Sequence, residues 1–284
     1  MKKVLCLLFA TAVVLSSVEV VTATSASVFS NVDSFKSPCG GYLKNSPSPY
    51  PAKKYNLAMQ QFSKLGYSPT GYLGDSFTSS AFLNAMHSSF AVYVASHGDL
   101  YWDSGSPYVN SAFSQNPPGA CESTTNRVYS IYGHGGHATN IQANAVPPYY
   151  VVIMSTCRLG WDGPVKNHSG YRGNTMPMAF GIASGSTFYY TKTSTQPQFY
   201  MGYRNFTWDS SAYAFESNFW AERWTYDYDP GNTGWPSLAQ AFDLALADGP
   251  YEDVPASKAE DGVYNYFVPA WFGNPNSRGL ATGA

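Results

Sequence analysis

Tyr149-Tyr150-Val151-Val152-Ile153-Met154-Ser155-Thr156, running straight into Cys157-Arg158-Leu159-Gly160, is the stretch on which the fold turns. Short uncharged runs of β-branched and aromatic residues read as strands buried on both faces of a parallel sheet. A second run of the same kind, Phe90-Ala91-Val92-Tyr93-Val94-Ala95-Ser96, ends in His97-Gly98. The carboxyl ends of parallel strands are where α/β proteins build their sites, so the pattern sets His97 and Cys157 side by side. A thiol is a useful nucleophile only as thiolate, and a neighbouring imidazole can take its proton. Taken singly, a strand-end Cys fits an inert core thiol and a His beside Gly fits a hydrogen-bonded loop. It is the pair, on two matching strands, that points to acyl transfer.

Outward from these runs, the chain reads as one α/β unit. Leu57, Met59, Phe62 and Leu65 predict a helix over 55–65, and Phe82, Leu83 and Met86 predict another over 78–88. From Gly98 to Pro148 the sequence is loop-like, with Ser104-Gly105-Ser106-Pro107 and Asn116-Pro117-Pro118-Gly119, apart from a short strand over 127–132. Past Cys157, a loop over 161–174 leads to a helix over 175–183 and a strand over 186–191, one right-handed crossover. Asp209 is placed to cap a helix reaching Trp224, with Ala212, Phe215, Phe219 and Trp220 on one stripe. Pro236 opens a last helix, striped by Leu238, Phe242, Ala245 and Leu246, that ends at Asp248-Gly249-Pro250.

The first residues are Met1-Lys2-Lys3, followed by an apolar core over 4–15 and small residues around Thr22-Ala23-Thr24-Ser25-Ala26. A basic start, a short apolar core and a small-residue end describe a secretory leader over 1–26, with the mature chain starting between Ala23 and Ser30. Glu19 would be costly in hydrocarbon, which argues against an uncleaved anchor. A Ser-, Pro- and Gly-rich irregular arm or short propeptide is expected over 27–51, then a single domain over 52–284. The mature protein is therefore expected to be secreted, with no membrane partner after leader removal. Leader removal takes Cys6 and leaves Cys39, Cys121 and Cys157. Three cysteines in an oxidising compartment invite one disulfide and one free thiol, and the loop contexts of Cys39 and Cys121 favour pairing them.

Charged residues make up 12% of the 284-residue chain and aromatic residues 17%, with a net charge of -2. No basic stripe exists, which excludes nucleic acid as a partner. Asn167-His168-Ser169 and Asn205-Phe206-Thr207 are glycosylation sequons.

An apolar strand ending in Ser96-His97-Gly98, followed about sixty residues later by a strand ending Ser155-Thr156-Cys157, resembles the caspase-like cysteine peptidases, the superfamily of caspases, legumains, gingipains and clostripain-like enzymes. Weaker likeness lies in Ser237-Leu238-Ala239-Gln240-Ala241-Phe242, similar to a late helix of these families. Trp271-Phe272-Gly273-Asn274-Pro275 resembles a closing Phe-Gly-Asp-Pro of gingipain-type domains, with Asn for Asp. The resemblance implies a caspase-like three-layer α/β sandwich, a mostly parallel central sheet with helices on both faces. It implies a cysteine endopeptidase acting on peptide or protein substrates, self-processing included, without cofactor. Cys157 would attack, His97 would protonate the leaving amine, and the main-chain amides of Gly98 and Cys157 would hold the oxyanion. Gly98 suits that place because a side chain there would crowd substrate. A third orienting residue is often dispensable in these families.

Substrate preference stays open in the sequence. Asp99, Asp103, Asp162 and Asp209 could each face a basic residue of the substrate, and Arg158 an acidic one. His134-Gly135-Gly136-His137 with His97 raises a three-His zinc site, but no His-Glu-x-x-His helix or second shell accompanies it, so no metal is expected. Neither a Gly-x-Ser-x-Gly elbow nor a phosphate-binding loop is present. The rival function is an inactive secreted binding protein on the same fold, its aromatic loops recognising glycan or a cell-surface protein.

Overall fold

In a computed structural model, the chain is described at residues 24–30, 49–96, 98–102, 108–114, 127–129, 140–141, 148–160, 172–174, 176–182, 198–205, 207–225, 227–229, 232–253 and 267–280. In chain order the elements are β1 (Ser25–Ser30), α1 (Tyr50–Lys64), β2 (Ser68–Leu73), α2 (Ser79–Met86), β3 (Ala91–Ala95), β4 (Gly98–Trp102), β5 (Tyr108–Ser114), β6 (Arg127–Tyr129) and β7 (Val151–Ser155). Then follow β8 (Arg172–Asn174), α3 (Met176–Ala179), β9 (Phe199–Tyr203), α4 (Asp209–Arg223), β10 (Asp227–Asp229), β11 (Asn232–Gly234), α5 (Leu238–Ala247) and β12 (Pro269–Gly273).

Both apolar runs form strands in which every residue is buried. They lie next to each other in a six-stranded sheet of order β12-β9-β7-β3-β1-β2. Five strands run parallel, and β12 closes one edge antiparallel to β9. Alternation along the strands divides their side chains between two layers. Ala91, Tyr93, Val151 and Ile153 meet Phe62 of α1, Phe215 and Phe219 of α4, and Phe242 of α5. Val92, Val94, Val152 and Met154 meet Phe82 and Met86 of α2 and Met176 of α3. The result is an α/β sandwich with a mostly parallel central sheet and helices on both faces. A parallel sheet needs such cover because both of its faces are apolar.

Several sequence expectations change. Ser27 to Ser30 were expected in an irregular arm, and Ser25 and Ala26 in the leader, yet all six form β1, seated between β2 and β3. The three serines and one alanine of this strand carry little apolar signal, and its identity comes from the neighbours that pair with it. The loop expected after Gly98 contains β4 and β5, which with β6 and β8 make a second, smaller sheet. The strand that pairs with β7 on the side away from β3 is Phe199–Tyr203, whereas 186–191 lies outside the described residues. Asp209 is not the cap of α4; Trp208 holds that position with no side-chain bond, and the Asp209 carboxylate turns to Lys54. The last helix starts with a reciprocal capping box between Ser237 and Gln240, which fixes its first turn.

Candidate active site

The parallel register between β3 and β7 pairs Val94 with Met154 and Ala95 with Ser155, so the two strands end level. Cys157 follows the end of β7 by two residues, is half-buried, and is the cysteine found among the described residues. Gly98, which opens β4, lies against it. A Cβ at Gly98 would sit 2.5 Å from the Cys157 carbonyl oxygen and 3.1 Å from the Thr156 Cβ. Glycine is thus required by the approach of two main chains, whereas the sequence suggested room for substrate. Real Cβ atoms do not come this close to a backbone oxygen, and the oxygen cannot swing aside.

The turn after Cys157 is pinned from the β9 side. Arg158 N–H donates to Asn205 O at 3.2 Å, Gly160 N–H to Tyr203 O at 2.8 Å, and the Tyr200 hydroxyl to Leu159 O at 2.6 Å. A Cβ at Gly160 would lie 2.6 Å from the Gly202 carbonyl carbon, so this crossing also needs a bare backbone. Arg158 adopts φ 59, left-handed space that costs a side-chain-bearing residue about 1–2 kcal/mol.

The sulfur meets the chain that follows β9. Thr207 N–H donates to Cys157 Sγ at 3.4 Å, and the thiol donates to Thr207 O at 3.7 Å. The main chain of Thr207 thus holds the sulfur from both its donor and its acceptor side.

Between α1, α4 and the sheet lies a polar group of which sequence reasoning singled out Asp209 alone. Lys54 of α1 reaches Asp209 Oδ1 at 2.5 Å, while Glu216 of α4 accepts from Tyr93 at 2.6 Å and Tyr203 at 2.9 Å. Burial pulls the Lys54 ammonium down, but Asp209 and Glu216 outweigh it and hold it above its ordinary value. Burial raises the Glu216 carboxyl above the ordinary carboxylate range, against the pull of Lys54 and the two phenols. Burial and Glu216 together raise the Tyr93 and Tyr203 phenols. The available signal was a charge inside an apolar stripe: Lys54 one turn before Ala58, and Glu216 between Phe215 and Phe219.

Of the remaining expected site residues, His97, Asp103 and Asp162 lie outside the described residues, as do Cys39, Cys121, His134 and His137. Asp99 is the second residue of β4 and pairs with Ala112 of β5. Asp209 faces Lys54 rather than standing alone as a substrate acid, though its side chain is 45% exposed.

No protein-family model matches the chain, and no curated protein matches it in sequence. Its structure is similar to the crystal structure of the Arg-specific cysteine proteinase gingipain R, with a TM-score of 0.47 and 10% identity. The match covers 90% of this chain and 47% of the other, so this chain spans about half the length of that proteinase.

Proposed function

We propose that this chain is a secreted cysteine endopeptidase of caspase-like architecture that cleaves peptide bonds with Cys157 and His97. The observation that carries the reading is the contact between Gly98 and the Cys157 main chain at two level strand ends. The residue that follows His97 in sequence thereby touches the residue that bears the thiol. In the proposed reaction the Cys157 thiolate attacks the peptide carbonyl carbon and forms a C–S bond. The oxyanion is met by the main-chain amides of Gly98 and Cys157. His97, having taken the thiol proton, gives it to the amine as the C–N bond breaks. Water then attacks the thioester, releases the carboxylic acid and restores the thiol.

The leader over the first residues and a Cys39 to Cys121 disulfide belong to the same reading. Both suit an exported protein whose third cysteine must stay reduced. Mass spectrometry of the unreduced protein checks the bridge: Cys157 should be the residue that alkylates without reductant.

Digestion of a peptide library by wild type, Cys157→Ala and His97→Ala, before and after trimming of the N-terminal segment, tests the activity. Wild type should cleave and both variants should not. A wild type inert under all conditions, yet able to hold glycan or protein, would favour the binding-protein alternative.

A further inference from the structure

Between α1, α4 and the sheet lies a set of ionisable side chains that the proposed dyad does not use. Lys54 is 2% exposed and leaves the same face of α1 as Ala58, Gln61 and Phe62, all buried. Asp209 opens α4, and Glu216 follows about two turns later at 0% exposure, bridging Tyr93 of β3 and Tyr203 of β9. Among the described residues, Asp209, Glu216 and Cys157 are the ionisable groups that act on Lys54, from α4 and from the end of β7.

A core has no need of a lysine here. An apolar residue of similar length would fill the space without removing a charge from water. The chain instead keeps the proton on Lys54 by facing it with two carboxylates. Asp209, which holds this ammonium, comes two residues after Thr207, whose main-chain N–H and carbonyl meet Cys157 Sγ at 3.4 and 3.7 Å, so one short segment ties the cation to the sulfur. A fixed cation near a sulfur favours the ionised form, which is the nucleophilic one.

We propose that Lys54 is a positioning residue for Cys157, a buried ammonium held by Asp209 and Glu216 that favours the thiolate at the strand tip. This rests on Cys157 being the nucleophile of the proposed function, and it gives the sulfur a second source of activation beside His97.

Two substitutions separate charge from mere scaffolding, because they break the same ion pair and shift the charge in opposite senses. Lys54→Met deletes the cation and leaves two carboxylates near the sulfur. Asp209→Asn deletes an anion and leaves the cation. The measurement is the rate at which iodoacetamide alkylates Cys157 in the folded full-length chain, followed against pH by mass spectrometry of the Cys157 peptide. Circular dichroism verifies that each variant is folded. Lys54→Met should move the midpoint of the rate profile up by about 1 unit, a tenfold slower reaction below both midpoints. Asp209→Asn should move it down. Shifts in the same direction would show that both variants only loosen the structure, and would overturn the assignment. Should Lys54→Met fail to fold, Asp209→Asn decides: a lower midpoint supports the role of Lys54, and an unchanged or higher one refutes it. Alkylation needs no peptide cleavage. Opposed shifts in a chain inert toward peptides would refute the peptidase reading and leave the influence of Lys54 on the sulfur intact.

Discussion

Gly98 and Arg158 are the residues through which backbone geometry bears on the thiol, one by close approach and one by a left-handed turn. At Gly98 the obstacle is the Cys157 carbonyl oxygen, 2.5 Å from an added Cβ, with Leu159 Cγ at 3.0 Å behind it. Gly98→Ala must push two strand ends apart, and we expect it to lower stability by about 1–3 kcal/mol in urea unfolding. Arg158 sits at φ 59. Arg158→Val, whose branched Cβ fits left-handed space worst, should cost about 1–2 kcal/mol in the same measurement. Arg158→Gly should be neutral or stabilising by up to about 1 kcal/mol, since relief of strain exceeds or matches the entropy that glycine adds to the unfolded chain. An equal loss for both Arg158 variants would mean that its side chain, not its backbone, matters. Sequence alone singled out both positions, Gly98 by its place after His97 and Arg158 as a possible partner for an acidic substrate residue. It gave Gly98 one reason, room for substrate, and missed another, because close approach of two strands cannot be seen along one of them.

The elements divide by how strongly each announces itself. β3 and β7 are continuous apolar runs and were legible at once. α1, α2, α4 and α5 were legible from their stripes, with ends misplaced by a few residues. β1 was not, because half of it is serine and its burial is dictated by β2 and β3 on either side. That placement has a consequence for processing. The Thr24 carbonyl accepts the Ser68 N–H at 3.0 Å, and five of the six β1 residues are buried. If the leader is removed, N-terminal sequencing of the exported chain should find a start at or before Ser25; a start within 27–30 would contradict the strand. The tie between α1, α4 and the sheet also has a pH signature. Burial holds Glu216 above the ordinary carboxylate value of 4.5, so from that value up through its native titration the folded chain keeps a proton that the unfolded chain releases. Stability therefore falls as pH rises through this window. Glu216→Gln removes the dependence: the melting temperature of wild type relative to this variant should drop from pH 4 to pH 7, and parallel curves would count against the buried carboxyl.

For the whole molecule, composition raised expectations about compartment and partners but was silent about chemistry. The order of the two strand-tip motifs indicated the architecture, and the sheet order β12-β9-β7-β3-β1-β2 supplies it. A charge in an apolar stripe marked Lys54 and Glu216 singly, but their meeting with Tyr93 and Tyr203 was beyond reach, because the four converge from four elements and no local pattern links positions 54, 93, 203 and 216. The central claim is that Cys157 and His97 act as one catalytic unit across the two strand ends. It is tested most directly by the kinetics of Cys157→Ala, His97→Ala and the double variant on the best substrate of the wild type. The account predicts that each single variant falls to the same background rate and that the double variant falls no further, since nucleophile and proton carrier are useless apart. Cleavage retained by Cys157→Ala, or losses that simply add, would contradict it.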